Sequence, residues 1–187
     1  PEDVHIAADR ALPGCAVLVS GSIGDHGMAI MASREQLRFE SDIVSDSAAL
    51  HGLVAQMLAA APGAIRCLRD PTRGGIASAL NELAQQSGVA IMLDEVDIPV
   101  KPAVRAACEI LGLDPLYVAN EGKLLCICEA EAAEALLQVM RSHPLGRDAA
   151  LIGAVVKDDL YYVEMKTEFG GRRIVDWPLG EQLPRIC

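Results

Sequence analysis

The sequence predicts a layered α/β or α+β domain, and three observations support that fold class. Runs of apolar residues with strand character alternate with segments of helical character, an order typical of a sheet covered by helices. The 187 residues suit one domain with a single buried core. Apolar residues make up 51% and charged residues 22%, which is ordinary for a globular protein and excludes a disordered or collagen-like chain.

Six apolar runs of four to seven residues predict the strands. Each run is bounded by glycine, proline or polar turn residues. The runs lie at 16–20, 65–68, 89–93, 124–128, 150–156 and 160–165. Lys157, Asp158 and Asp159 between the last two runs predict a hairpin. Segment 174–177 is expected to pair next to them.

Five intervening segments predict helices, and the third shows apolar residues at helical spacing most clearly. They lie at 27–33, 48–60, 76–86, 102–111 and 131–141. Asp46 or Ser47 is expected to N-cap the second helix, since short polar side chains favour that position. Pro102 fits the first turn of the fourth helix, and Gly112 fits the position just beyond its end.

The charge balance bears on the class of partner. The chain carries 16 basic and 26 acidic residues, a net charge of −10, and a field of this sign repels phosphate backbones. Aromatic residues, which stack on bases, make up only 3%. No apolar run approaches the ~18–20 residues that a membrane-spanning helix needs. We therefore expect neither a nucleic-acid nor a membrane partner.

Six cysteines lie at positions 15, 67, 108, 126, 128 and 187, and none forms a Cys-x-x-Cys pair. Cys126 and Cys128 fall in a predicted strand, where residues two apart share a face. Because a lone Cys-x-Cys is a poor zinc signal and free cysteine buries readily, we expect both in the core. The chain opens without a secretory leader pattern, so the sequence predicts free thiols in a reducing, cytoplasmic protein.

The last ten residues, 178–187, are expected to form an extended, flexible tail. Pro178, Gly180 and Pro184 disfavour helix, and Pro184 also interrupts strand pairing. Ten extended residues span ~33–36 Å, so the terminal Cys187 can visit more than one site. A thiolate on such an arm is a nucleophile. The alternative is that Cys187 simply ends a frayed terminus.

A polar loop, residues 69–75, precedes the third helix. Gly74 and Gly75 let a backbone approach a ligand closely, and the free N–H groups of a helix start bind anions. Arg73 can clamp a phosphate at two points. Thr72 can cap the helix or donate to a phosphate, and Asp70 can hold a metal or accept a bond from Thr72. An ordinary capped helix start with a surface arginine explains the same residues equally well.

Two further turns carry groups that can move protons. Asp25 lies beside His26 in the glycine-rich turn after the first strand, and imidazole titrates near neutrality. Glu121 lies between Asn120 and Gly122 in a polar turn and can act as a general base where it is partly buried. The alternative for each is an ordinary polar turn residue in water.

These motifs, taken in order, resemble those of one family. The matching segments are 21–30, 68–75, 81–83, 98–100, 119–122 and 184–187. On them the chain is similar to the HypE family of hydrogenase maturation factors, carbamoyl dehydratases of the aminoimidazole ribonucleotide synthetase and selenophosphate synthetase superfamily. The resemblance covers the whole chain but only the C-terminal half of the family's usual length. Cys15 departs from the pattern, because an acidic residue is expected there.

The resemblance implies a mixed sheet flanked by helices over residues 1–177 and a flexible tail over 178–187 that ends in a carrier cysteine. The family's N-terminal ATP-binding domain, which holds much of the ATP and magnesium site, is expected to lie outside this sequence. This piece alone is therefore expected to be an incomplete enzyme. The missing initiator methionine fits a fragment or processed piece of a longer protein.

The resemblance also implies an activity. An ATP-dependent dehydration converts a carbamoyl group on Cys187 into a thiocyanate, which supplies the cyanide ligands of the nickel–iron hydrogenase active site. A HypF-type carbamoyltransferase loads the sulfur, and an iron-carrying HypC–HypD scaffold accepts the cyanide. ATP and Mg²⁺ are the implied cofactors, and the full-length form is expected to be a homodimer.

The site residues follow from the same resemblance. Cys187 is the expected carrier and Glu121 the expected base, while Asp25 and His26 are expected to line the cleft or receive the tail. No residue is assigned as a metal ligand. The expected nucleotide-binding residues are Asp70, Thr72, Arg73, Gly74, Gly75 and Asn120.

Two other functions remain open at this point. One is a different ATP-using small-molecule kinase or synthetase of the superfamily, which does not need a C-terminal cysteine. The other is a binding module without catalysis that presents its thiol to metallochaperone partners.

Overall fold

A mixed seven-stranded sheet forms the centre of the computed structural model, which describes residues 4–34 and 43–178. The strand order is β2-β4-β1-β5-β3-β6-β7, and β3–β6 is a parallel pair among otherwise antiparallel neighbours. The strands are β1 (Ala16–Val19), β2 (Ile65–Arg69), β3 (Ala90–Asp94), β4 (Leu125–Cys128), β5 (Ala150–Val156), β6 (Val163–Lys166) and β7 (Arg172–Ile174).

Helices cover both faces of this sheet. They are α1 (Asp25–Arg34), α2 (His51–Ala60), α3 (Gly75–Ser87), α4 (Pro102–Leu111) and α5 (Ala130–Ser142). Helix α3 packs on one face, α2 and α5 pack on the other, and α1 contacts α4 beside the sheet. The predicted fold class, a layered domain with a mixed sheet flanked by helices, is confirmed.

Strand β1 shows why the core has two halves. Successive side chains of a strand point to opposite faces of the sheet. Val17 and Val19 pack into the cluster under α3, whereas Ala16 and Leu18 pack into the cluster under α2 and α5. Because both faces are buried, the strand is apolar throughout and lacks the alternating pattern of a half-exposed strand.

Two local predictions are wrong. Helix α2 has Leu50 as its N-cap residue with no side-chain cap bond, because Asp46 and the residues beside it are held elsewhere. Strands β5 and β6 do not form a hairpin, since β5 pairs with β1 and β3, and β6 pairs in parallel with β3. Strand β5 lies in the middle of the sheet and is hydrogen-bonded to a neighbour along each edge, and this pairing outweighs the local turn signal of the residues after Val156.

The topology brings three polar loops to one end of the sheet. Strands β1 and β2 both run antiparallel to β4, which lies between them. The carboxyl ends of β1 and β2 therefore meet the start of β4.

None of the helices in the described ranges is both long and apolar enough to cross a membrane.

Candidate functional site

The three loops predicted to carry chemistry lie side by side at this end of the sheet. They are residues 20–25 after β1, residues 70–74 after β2 and residues 118–124 before β4. Ser20 joins the first loop to the third, because its N–H donates to the Leu124 carbonyl at 3.0 Å and its Oγ accepts from the Leu124 N–H at 3.0 Å. The sequence alone identified each loop, and the sheet order explains their proximity.

Asn120 is the residue that ties the three loops together. Its side chain is fully buried. Its Nδ2 donates to the carbonyls of Pro71 and Val118, each at 3.0 Å. Its Oδ1 accepts from the Gly24 N–H at 2.8 Å. The Asn120 amide is thus committed to protein groups, and its predicted contact with a nucleotide stays a prediction.

The start of α3 differs from an ordinary capped helix. The N-cap residue is Gly74, which has a left-handed φ of 70° and provides no side-chain cap bond. A Cβ on Gly75 would overlap the Leu116 carbonyl oxygen, so close packing of the protein itself requires glycine there. Thr72 accepts from the Gly75 N–H through its carbonyl at 3.1 Å, while its side chain does not cap the helix.

Arg73 and Asp70 stand on the outer side of this loop. Both side chains are exposed. Asp70 lies 3.7 Å from the Arg69 guanidinium, which is itself paired with Glu82 at 2.7 Å. Arg73 makes no ion pair or hydrogen bond within residues 4–34 and 43–178. Its guanidinium is therefore a cation next to the α3 N-terminus that protein carboxylates in the described ranges do not neutralise.

Asp25 and His26 sit at the start of α1 and have different environments. Asp25 is 1% exposed, accepts from Ser22 Oγ at 2.5 Å and pairs with Lys101 Nζ at 2.9 Å. His26 is partly exposed, and its Nδ1 lies 2.8 Å from Ser45 Oγ. Asp25 thus fixes the first turn of α1, whereas the His26 ring borders the surface of the loop cluster.

Glu121 is half-buried in the third loop. Its N–H donates to Asp46 Oδ1 at 3.1 Å, and the other oxygen of Asp46 pairs with Lys123 Nζ at 3.0 Å. The Asp46 and Lys123 side chains are 3% and 12% exposed. Sequence reasoning missed the roles of Asp46, Lys123 and Lys101, because each pairs with a residue from a distant part of the chain.

The predicted carrier Cys187 lies outside the described residues, which end at Pro178. The segment before it runs back along α3, because the Val175 carbonyl accepts from Asn81 Nδ2 at 2.8 Å. Pro178 then reaches the start of that helix, where its Cγ lies 3.3 Å from the Cβ position of Gly74. The chain is therefore delivered to the loop that carries Arg73.

The other five cysteines are free thiols buried in the core. Burial raises the pKa of Cys67 and of Cys108 to about 11 in each case. The pKa of Cys126 is raised by its hydrogen bond with Cys128 and by burial. The prediction that Cys126 and Cys128 are neighbouring core residues is confirmed. The raised pKa values make Cys67, Cys108 and Cys126 poor nucleophiles near neutral pH.

A magnesium site does not emerge from the described residues. No three His, Cys, Asp or Glu side chains there come together in an arrangement that could hold a metal ion. Asp70 stands alone with its arginine neighbour, and Asp25 is already paired with Lys101. The residues at hand therefore do not fit an Mg²⁺ ion by themselves.

Comparison with known proteins gives consistent matches. The family model for the C-terminal domain of AIR synthase related proteins matches residues 13–166. The carbamoyl dehydratase HypE of Azotobacter vinelandii is 65% identical over 187 residues, which are all of this chain and 54% of that relative. The resemblance expected from the motifs is thereby confirmed, and the chain spans about half the length of the relative.

Two solved structures match nearly the whole chain. A crystal structure of the hydrogenase maturation protein HypE in complex with ATP has a TM-score of 0.91 at 48% identity, covering 97% of this chain and 55% of that one. A crystal structure of a HypE–HypF complex has a TM-score of 0.90 at 45% identity, covering 94% of this chain and 57% of the matched one.

Proposed function

Since the chain belongs to the family of AIR synthase related proteins, we propose that it is the C-terminal part of an ATP-dependent carbamoyl dehydratase of hydrogenase maturation. The relatives named carbamoyl dehydratase HypE support this activity. In this function the tail cysteine carries a carbamoyl group and the loop cluster receives it. The product is a thiocyanate on Cys187, which supplies cyanide for a nickel–iron centre.

The position of Pro178 is the observation that carries the proposal. It lies against Gly74, so the nine residues after it begin at the candidate nucleotide loop. Nine extended residues reach ~30–32 Å. Cys187 can therefore enter the loop cluster to react and leave it to meet a partner, without any movement of the core.

The reaction can be written with its atoms balanced. The Cys187 sulfur bears a carboxamide, S–C(=O)–NH₂. The carboxamide oxygen attacks the terminal phosphorus of ATP, a P–O bond to ADP breaks, and ADP leaves. The nitrogen loses its first N–H proton to water as the carbon–nitrogen double bond forms, which gives S–C(–O–phosphate)=NH. A base takes the remaining N–H proton, the C–O bond breaks, and inorganic phosphate leaves with both electrons of that bond. The carbon–nitrogen bond becomes a triple bond, which gives S–C≡N.

Each candidate residue has a role in this scheme. Glu121 is the base, and its half-buried place favours proton transfer over full solvation. Arg73 offsets the negative charge of the transferred phosphoryl group, since it is an exposed guanidinium at a helix start. The N–H groups of the first turn after Gly74 and Gly75 add to that field, because they have no side-chain cap.

The remaining predicted residues have supporting roles. Thr72 donates to a phosphate, and Asp70 stands beside the same loop. Asn120 holds the loops in register, Asp25 fixes α1, and His26 lines the entrance. No step is assigned to Mg²⁺, because the described residues do not fit that ion. The family's N-terminal domain is the proposed source of the rest of the ATP site.

The cofactor and the partners are proposed from the matches. ATP is the proposed co-substrate, because a matching HypE was solved in complex with ATP. A HypF-type carbamoyltransferase is the proposed loading partner, because another matching HypE was solved with HypF. An iron-carrying HypC–HypD scaffold is the proposed acceptor, the full-length form is the proposed homodimer, and a reducing cytoplasm is the proposed compartment.

ATP consumption in a Cys187→Ala variant tests the function. The chain is joined to the family's N-terminal domain and supplied with the carbamoyltransferase, carbamoyl phosphate and ATP. We expect partner-dependent ADP formation in the parent protein and in a Cys15→Ala control, and none in Cys187→Ala. Undiminished ADP formation by Cys187→Ala with a small-molecule acceptor would instead indicate a kinase or synthetase of the superfamily.

A further inference from the structure

Residues 45–48 form a short strap across the loop cluster, and no predicted role accounts for it. Ser45 Oγ lies 2.8 Å from His26 Nδ1, and Ser45 Oγ also accepts from the Ser47 N–H at 3.2 Å. Asp46 then binds the third loop through both carboxylate oxygens. The strap therefore touches both loops that carry the predicted proton-transfer residues.

Asp46 binds the residues on either side of Gly122, the backbone of Glu121 and the side chain of Lys123. Its Oδ1 accepts from the Glu121 N–H at 3.1 Å, and its Oδ2 pairs with Lys123 Nζ at 3.0 Å. On the other side of Glu121, the Asn120 amide is fixed by three hydrogen bonds. Glu121 thus lies between the anchored side chains of Asn120 and Lys123, while its own side chain is half-buried.

Gly122 gives independent support for close packing of the strap on this turn. A Cβ on Gly122 would overlap the Asp46 carbonyl oxygen and would come within 3.0 Å of the Ala48 N–H nitrogen. The φ of Gly122 lies outside the left-handed region, so the backbone itself does not require glycine. Glycine is required there by the approach of the strap.

The ion pair between Asp46 and Lys123 is expected to add little to the stability of the fold. The Asp46 and Lys123 side chains are 3% and 12% exposed, and desolvation of two buried charges offsets most of their attraction. The pair instead fixes the position of the turn. A carboxylate whose two oxygens are both bonded holds in place the backbone N–H from which it accepts. That backbone carries the residue proposed as the base.

We propose that Asp46 is a positioning residue for dehydration, and that the strap sets the place of Glu121 relative to the carbamoyl group on Cys187. This inference rests on the proposed function. Displacement of a reacting group by about 1 Å lowers the rate up to ~100-fold. A loosened turn should therefore lower the rate of dehydration more than it lowers the affinity for ATP.

Two variants test the strap by different means. Asp46→Asn removes the charge that pairs with Lys123. Gly122→Ala pushes the strap away without removing any polar group.

Asp94→Asn is the matched control for Asp46→Asn, because Asp94 also accepts from a backbone N–H and pairs with a lysine at 3.0 Å. Gly52→Ala is the control for the second, since its Cβ would meet only His143 Nε2 at 3.6 Å.

The readout is single-turnover conversion of the carbamoylated tail in the full-length protein, with ATP varied. We expect Asp46→Asn and Gly122→Ala to lower the conversion rate about tenfold, with the KM for ATP within about twofold of the parent. Both controls should keep the parent rate. Addition of Asp46→Asn to Glu121→Gln should lower the rate little further, because the two residues act through one group.

Hydrogen exchange at the Glu121 amide separates the inference from the proposed function. We expect faster exchange in Asp46→Asn and Gly122→Ala than in their controls. Parent-like conversion by both variants, or a full additive loss with Glu121→Gln, would overturn the positioning role. Unchanged exchange would show that the strap does not hold the turn. A parent protein that never forms a cyanated tail would overturn the proposed function and the role in dehydration, while exchange still reports on the strap.

Discussion

At the scale of single residues, Arg73 is the side chain whose environment best separates function from folding. It is exposed and makes no ion pair or hydrogen bond in the described ranges, so its removal leaves no buried partner unsatisfied. Arg73→Ala should raise the KM for ATP about tenfold, the loss expected for one charge-assisted contact. The KM for ATP of Arg73→Lys should lie between those of the parent and of Arg73→Ala, because an ammonium contacts phosphate at a single point.

Steady-state ATP titration of the full-length protein checks this prediction, with thermal unfolding as its control. The unfolding midpoint should stay within about 1 °C of the parent, since substitutions at exposed positions are usually near neutral. A normal KM in Arg73→Ala would remove Arg73 from the nucleotide site. A large loss of stability would show that the residue is structural.

Glu121 gives the second residue-scale prediction. Glu121→Gln keeps the size of the side chain and removes its basicity, so loading of Cys187 should proceed while dehydration slows by about 10²–10³-fold. Mass spectrometry of the C-terminal peptide against time measures both steps. Accumulation of carbamoylated tail is the expected result, whereas conversion at the parent rate would assign the base to another group.

The residue scale also shows what sequence reasoning can and cannot reach. Arg73, Glu121 and His26 can be proposed as site residues from the sequence because their types and loop positions are visible in the chain. Asp46 was interpreted as a helix cap, because a short acidic residue before a helical segment favours that role. Its actual partners lie about 75 residues away, so no local pattern could indicate them.

At the scale of elements, Asn120 joins three loops that belong to three different strands. Asn120→Ala removes the side-chain partner of the Gly24 N–H and of the Val118 carbonyl, while the Pro71 carbonyl keeps its bond from the backbone N–H of residue 120. We expect a loss of about 2–3 kcal/mol in the free energy of unfolding, the cost of buried unsatisfied groups. Urea unfolding measures it, with the exposed Gln86→Ala as a control expected to change little.

If Asn120→Ala has the stability of the parent, the hydrogen bonds of the Asn120 side chain across the loops contribute nothing to the free energy of unfolding. An Asn120→Ala protein that is destabilised yet keeps its KM for ATP would restrict Asn120 to bracing. A raised KM at temperatures where the variant is fully folded would add the nucleotide contact predicted from the resemblance.

Most elements were predictable because each is marked locally. Glycine ends α3 and α4 in the left-handed conformation, and Pro102 begins α4, as their positions in the sequence indicate. Strand pairing was harder to predict from the sequence. The polar residues after β5 are typical of a hairpin, yet β6 joins the far side of β3 in parallel. Which strands become neighbours depends on the burial of the whole sheet, and a turn signal does not contain that information.

At the scale of the whole molecule, buried thiols link stability to alkaline pH. Burial raises the pKa of Cys67 and of Cys108 to about 11, from 9.0 in the exposed state. A folded-state pKa above the unfolded value gives stability that is present below pH 9 and is lost as the pH rises towards 11. The urea midpoint should therefore fall across this interval.

A Cys67→Ala, Cys108→Ala double variant provides the comparison for this prediction. Its urea midpoint should fall less between pH 9 and 11 than that of the parent, because alanine does not titrate. Equal declines in the two proteins would show that other groups cause the alkaline loss and that these thiols ionise without cost in the folded state.

The carrier role of Cys187 is tested most directly by the mass of the C-terminal peptide. The chain, joined to the family's N-terminal domain, is incubated with the carbamoyltransferase, carbamoyl phosphate and ATP, and the peptide is then mapped. We expect an ATP-dependent gain of about 25 Da on Cys187, the mass added when S–H becomes S–CN, after a gain of about 43 Da for the carbamoyl group. A peptide that stays unmodified while the partner is active would contradict the proposed dehydratase.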